Sequence, residues 1–96
     1  MRNTYIVSYD ISDPKRLRGV FQTCKNFGNH LQYSVFECDL NPSEKIELER
    51  TLAELIHHGE DQVLFIDLGP TEGRGNRVIT ALGIAYVKVD SPCYIV

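Results

Sequence analysis

Two apolar runs along the chain predict buried β-strands. Residues 4–10 are rich in Tyr, Ile and Val, residue types that favour a pleated strand, and they end on the carboxylate of Asp10. Residues 63–68 form a near-continuous apolar run that ends at Gly69-Pro70. This second run predicts a central strand of the sheet, with both faces covered.

The remaining strand signals are less regular. Residues 30–39 alternate polar and apolar side chains, and they fit either one bent strand or two short strands that meet near Tyr33-Ser34. Residues 86–89 predict a further strand, and after a turn at Ser91-Pro92 residues 93–96 predict a final apolar strand. A final apolar strand is an exposed edge unless another chain covers it.

Residues 14–27 predict an amphipathic helix. Asp13 is a favourable N-cap, Pro14 suits the first helical position, and Gly28 is a natural helix stop. Apolar residues recur at helical spacing and form one stripe, which consists of Leu17, Val20, Phe21, Cys24 and Phe27.

A second helix begins at Asn41-Pro42. Asn41 and Glu44 have the spacing of a capping box, and the helix is expected to end near Gly59. Its buried stripe is Leu48, Leu52, Leu55 and Ile56.

Helices that alternate with strands predict an α+β fold with two helices on one face of the sheet. We expect residues 1–96 to form a single domain, a ferredoxin-like βαββαβ sandwich with an extra C-terminal strand. The other sheet face then needs a cover, so we expect a homodimer. The C-terminal strand, about residues 86–96, is expected to take part in dimer or partner contacts.

Charge is unevenly distributed along the chain, whose net charge is −3. Residues 1–35 carry five bases and two acids, residues 36–72 two bases and ten acids, and residues 73–96 three bases and one acid. A basic surface for nucleic acid is therefore compatible with a mildly acidic protein.

Composition narrows the class of protein. No apolar run approaches the roughly 20 residues that span a bilayer, and the chain starts on a strand without a signal-peptide pattern, so we expect no membrane partner and a cytoplasmic location. Cys24, Cys38 and Cys93 lack zinc-ligand spacing and fit reduced thiols. The loop around Gly73-Arg74-Gly75 lacks the lysine of a phosphate-binding loop.

Asp10 is the main candidate for chemistry. It lies at the tip of a core strand and beside a helix N-terminus, a placement that suits a metal or phosphate site, although turns also favour Asp for local hydrogen bonding. One carboxylate holds a hard cation poorly, and a two-fold dimer would bring two copies of Asp10 together.

Three segments resemble the Cas2 family of small CRISPR-associated proteins. They are Tyr9-Asp10-Ile11 with Asp13 nearby, the run Gln-Tyr-Ser-Val-Phe-Glu over residues 32–37, and Leu68-Gly69-Pro70. The resemblance extends over essentially the whole chain.

The resemblance implies a homodimer in which Asp10 is the catalytic residue and the ligand of Mg²⁺ or another divalent metal. It implies a metal-dependent endonuclease of spacer acquisition that cuts RNA or DNA, with Arg16 and Arg18 binding nucleic acid. Tyr9 and Phe36 are expected to support the site, either by packing in the core or by touching the substrate. His30 stands about where some relatives carry a base.

Other functions stay open. The alternative to the nuclease is a non-catalytic dimeric scaffold that bridges the CRISPR integrase and binds prespacer duplex DNA. A toxin-like ribonuclease and a small-molecule regulatory module are weaker alternatives on the same fold.

Overall fold

The computed structural model describes residues 1–72 and 79–86. Most of the predicted C-terminal strand, residues 87–96, lies outside these ranges, as does the loop from 73 to 78. The described elements follow the predicted β-α-β-β-α-β order: β1 Asn3–Asp10, α1 Pro14–Lys25, β2 Asn29–Gln32, β3 Val35–Leu40, α2 Pro42–Leu55 and β4 Gln62–Pro70.

The four strands form one antiparallel sheet in the order β2-β3-β1-β4. β1 lies in the middle, with Val7 paired to Phe36 of β3 and to Phe65 of β4. This topology confirms the α+β, ferredoxin-like prediction. It also shows that residues 30–39 are two strands, separated by a turn at Tyr33-Ser34.

The core lies between the sheet and the two helices. Its buried side chains come from β1, β3, α1 and α2, and they are Tyr5, Val7, Tyr9, Val20, Cys24, Phe36, Cys38, Leu40, Leu48 and Leu52. Burial raises the pKa of the Cys24 and Cys38 thiols to about 12, so both stay protonated and unreactive. Within the described residues, no helix is both long and apolar enough to cross a membrane.

Among the strands that the structure describes, β4 lies at one edge of the sheet, whereas the sequence predicted a central strand. Its run is apolar on both faces because Val63 and Phe65 pack on the core, whereas Leu64 and Ile66 point to the other side and are each 47% exposed. The strand also continues through Gly69-Pro70, because Gly69 takes a φ of 92° where the pairing with β1 changes register.

Both predicted helix starts are confirmed. The Asp13 side chain accepts a hydrogen bond from the backbone N–H of Arg16 at 2.9 Å, with Pro14 as the first helical residue. Asn41 and Glu44 form the complete capping box of α2.

The role predicted for Gly28 is wrong. α1 already ends at Lys25 with Asn26 as its C-cap, and Gly28 does not have the positive φ of a glycine stop. Gly28 is needed because the backbone passes close to β3: an added Cβ would collide with Sγ of Cys38 and lie 2.5 Å from the carbonyl oxygen of Glu37.

This close approach predicts opposite effects for two Gly→Ala variants. Gly28→Ala should lower the free energy of unfolding by roughly 1–3 kcal/mol, because the new methyl group overpacks a closed contact. Gly19→Ala, inside α1 with Leu55 at an ordinary 3.5 Å, should raise it by roughly 0.5–1 kcal/mol. Urea unfolding of both variants measures the difference, and equal shifts would contradict this account of Gly28.

Candidate functional site

A cavity of about 530 Å³ opens where β1 ends, between the start of α1 and the turn from β2 to β3. Its walls are mostly apolar and include one carboxylate, one guanidinium and one imidazole. The lining residues are Tyr9, Asp10, Ile11, Pro14, Leu17, Arg18, Phe21, His30, Tyr33 and Ser34. The cavity therefore brings together three of the predicted site residues, Tyr9, Asp10 and Arg18.

Asp10 is the last residue of β1, paired with Gln62, and its side chain is exposed. It is the one carboxylate among the residues that line the cavity. In the part of the chain that the structure describes, no three His, Cys, Asp or Glu side chains are grouped to hold a metal. Mg²⁺ commonly keeps several waters and takes one or two carboxylates, so a lone exposed Asp10 fits as one ligand of a shared ion.

Tyr9 and Phe36 are packing residues of this site. Phe36 is fully buried, and its ring stacks on Tyr9 with centroids 6.3 Å apart. Burial, with a smaller contribution from Cys24, raises the pKa of Tyr9 to about 12, so its hydroxyl is neutral across the physiological range. That hydroxyl lies 3.5 Å from the carbonyl oxygen of Tyr33 and faces the turn.

His30 also faces this turn. Its ring lies between Phe21 and Phe36, each with centroids 4.9 Å away, and its Nε2 is 2.8 Å from the Tyr33 carbonyl oxygen. In the tautomer that carries the proton on Nε2, His30 donates a hydrogen bond to the turn. The residue therefore joins the wall of the cavity to the turn at its mouth.

The two arginines predicted to bind nucleic acid have different environments. Arg18 is exposed, lines the cavity and forms no ion pair with another residue of the described ranges. Arg16 points elsewhere, because residues two apart on a helix do not share a face. Its guanidinium binds Asp61 through Nε at 2.8 Å and Glu60 through Nη2 at 3.1 Å.

Asp61 is the centre of a hydrogen-bond network that was not evident from sequence. Its side chain has no exposed surface, and besides Arg16 it accepts from the backbone N–H groups of Ser12 at 3.0 Å and His57 at 2.8 Å. These bonds join the segment that follows Asp10 to the loop between α2 and β4. Arg16 thereby holds the segment that follows Asp10, and its Nε and Nη2 donate to carboxylates. Its contact with nucleic acid stays a prediction.

Comparison with known proteins gives a consistent result. The family model described as CRISPR associated protein Cas2 matches residues 3–74. A protein of Rhodospirillum rubrum named CRISPR-associated endoribonuclease Cas2 1 is 39% identical over 98% of this chain and 91% of its own length. A Geobacter sulfurreducens protein named CRISPR-associated endoribonuclease Cas2 is 47% identical over 75% of this chain and 76% of its own.

A solved structure agrees with these sequence matches. The crystal structure of Streptococcus pyogenes Cas2 superposes with a TM-score of 0.66 and 32% sequence identity, covering 79% of this chain and 98% of that one.

The Asp61 network predicts a pH-dependent loss of stability in Asp61→Asn. The hydrogen bond from Arg16, followed by those from the His57 and Ser12 backbones, holds the pKa of Asp61 well below its usual range, against the opposing effect of desolvation. The stabilising contribution is therefore complete above the unfolded pKa of about 4 and disappears as the pH falls toward the lower folded value. The Tm of the variant should be lower by several degrees at pH 7, and the gap to wild type should narrow below about pH 4.

Thermal melts at several pH values, with Glu54→Gln on the exposed surface of α2 as the control, measure this effect. A gap that is constant or widens on acidification would contradict the assignment.

Proposed function

The chain belongs to the Cas2 family, and on that basis we propose that it is a CRISPR-associated endonuclease of spacer acquisition that cleaves RNA with a divalent metal, Mg²⁺ being the best fit. The observation that carries this proposal is the exposed Asp10 carboxylate in a cavity that also presents the guanidinium of Arg18, which forms no ion pair within the described residues. The endoribonuclease names of the relatives support RNA as the substrate.

The active unit in this proposal is a homodimer. On the sheet face away from the helices, Ile6 pairs with Ile66, and Ser8 with Leu64, leaving an apolar surface in which Leu64 and Ile66 are each 47% exposed. A second copy on this face would bury that surface. It would also supply a second Asp10, which the single carboxylate of one subunit calls for.

The residues in and around the cavity would divide the work of binding and cleavage. Asp10 would hold the metal, which when bound activates a water and polarises the scissile phosphate. Arg18 would form charge-assisted hydrogen bonds with a phosphate oxygen. Tyr9 and Phe36 keep the strand end rigid, and the Arg16–Asp61 network fixes the segment that follows Asp10.

A non-catalytic scaffold is the second candidate, in which the dimer bridges the CRISPR integrase and binds prespacer duplex DNA. The observation that favours it is the lack of a second acidic side chain among the cavity residues, which leaves one subunit with an incomplete metal site. In this case Asp10 would have a structural part.

The nuclease proposal predicts that Asp10→Asn lowers Mg²⁺-dependent cleavage of labelled single-stranded RNA by about 100-fold or more, on the scale of losing a group that stabilises transition-state charge. The change keeps the side-chain shape and removes the charge. Cleavage is followed on gels with Mg²⁺ and with chelator, using Glu54→Gln as a matched loss of one exposed carboxylate.

Equal cutting by wild type and Asp10→Asn, in preparations free of contaminating nuclease, would exclude an Asp10-centred mechanism. If neither protein cuts RNA or duplex DNA while both bind the duplex in a salt-sensitive manner, the scaffold is the better account.

The dimer proposal predicts that Ile66→Lys raises the dimer dissociation constant by at least about 100-fold, because it places an unpaired charge in the buried face. Ile46→Lys is the matched control, since Ile46 is 56% exposed on α2. Sedimentation of both variants measures the effect. If the Ile46→Lys dimer dissociates and the Ile66→Lys dimer does not, the dimer interface lies on the helices and the proposal is wrong.

A further inference from the structure

We propose that Tyr33 is a stacking platform for an unpaired nucleobase at the mouth of the Asp10 cavity. This inference deepens the proposed function, on which its biological meaning rests. It assigns to the turn between β2 and β3 the recognition of single-stranded nucleic acid.

The ring of Tyr33 is presented to solvent by a fixed backbone. The residue is 93% exposed, yet its carbonyl oxygen is 2.8 Å from Nε2 of His30 and 3.5 Å from the hydroxyl of Tyr9. The carbonyl of the next residue, Ser34, accepts a hydrogen bond from the backbone N–H of Tyr9 at 3.1 Å. The base of the side chain is therefore held in place while its flat face stays open.

Folding does not account for an aromatic residue at this position. Tyr33 has a φ of 21°, a backbone conformation that glycine or asparagine adopts more readily than a bulky residue. A ring that is almost wholly exposed also contributes little to the core. Since the turn would form more easily without it, the ring is better explained by a ligand than by stability.

The neighbouring groups match one nucleotide. An aromatic face stacks on a base, and Arg18, on another wall of the same cavity, can pair with a phosphate of the same strand. Asp10 lines the cavity too, so a strand anchored on Tyr33 would pass the carboxylate proposed to carry the chemistry.

A nucleic acid fits this location better than a second protein chain. The cavity opens on the helix side of the sheet, as its lining by Leu17 and Phe21 of α1 shows. The apolar surface of Leu64 and Ile66 lies on the opposite face. The wall formed by α1 and Tyr33 therefore differs from that surface, and Asp10 at the end of β1 is the residue that the cavity shares with the proposed dimer.

Stacking on Tyr33 requires a base that is free of its partner, so the platform should distinguish single strands from duplexes. We would measure binding of a short RNA that carries one 2-aminopurine, a base whose fluorescence falls on stacking, in the presence of chelator so that no metal-dependent cleavage occurs. The proteins are wild type, Tyr33→Ala, Tyr33→Phe, Arg18→Ala and, as a matched exposed arginine on α2, Arg50→Ala.

We expect Tyr33→Ala to lose the quenching and to weaken binding by roughly 5- to 100-fold with an unchanged salt slope, and Tyr33→Phe to retain both. Arg18→Ala should make the slope of log affinity against log salt shallower by about 0.7, whereas Arg50→Ala should not. The same sequence as a duplex should show no dependence on Tyr33.

Unchanged quenching and affinity in Tyr33→Ala, or no binding by wild type, would overturn the inference. So would a Tyr33→Ala protein that dissociates into monomers while still quenching the probe, because the ring would then belong to a protein interface. Since this assay involves no cleavage, Tyr33-dependent binding can stand when the nuclease proposal fails, and cleavage can stand when the platform fails.

Discussion

The pairing of β1 on both of its edges is the constraint on which the rest of the molecule depends. With β3 on one side and β4 on the other, every backbone step of β1 is fixed, and its alternating side chains are assigned to the core or to the open face. Tyr5, Val7 and Tyr9 therefore point to the helices, and the strand delivers Asp10 to the rim of the sheet at a defined position. A shift of the register by one residue would exchange the two faces and bury the carboxylate.

The two arginines of α1 determine where positive charge is available near the end of β1. Arg16 is neutralised by Asp61 and Glu60, whereas Arg18 has no such partner within the described residues. Because the network of Arg16 also contains the backbone of Ser12, the charge pair that removes one cation from the cavity fixes the segment next to Asp10. A chain with net charge −3 can thus present the cationic side chain of Arg18 to a phosphate, while Glu60 and Asp61 of its acidic middle segment are paired with Arg16.

Local signals made much of this structure predictable. Some features depend only on residues that are close in sequence, and these could be predicted. They include the helix caps Asp13 and Asn41 and the end of β1 at Asp10. The Arg16–Asp61 pair joins residues far apart in the chain, and the need for glycine at position 28 comes from its approach to β3. Tyr33 lies in a run that alternates polar and apolar residues, and the sequence left open whether a turn interrupts that run; the exposure of its ring follows from the turn. Features that depend on contacts between distant parts of the chain could not be predicted from sequence, because they require the tertiary structure.

Under the proposed function, the single carboxylate of the cavity couples metal binding to assembly. If the ion takes one Asp10 from each subunit, it binds the dimer more tightly than the monomer, and by thermodynamic linkage it must stabilise the dimer to the same extent. The apolar face that carries Leu64 and Ile66 would then set the dimer population on which the metal site depends. In the proposal for Tyr33, the base stacks on Tyr33 and a phosphate pairs with Arg18 of the same subunit, so this part of substrate binding would need no metal. Substrate binding and metal-dependent cleavage would therefore respond differently to protein concentration, the first following the single subunit and the second following the dimer.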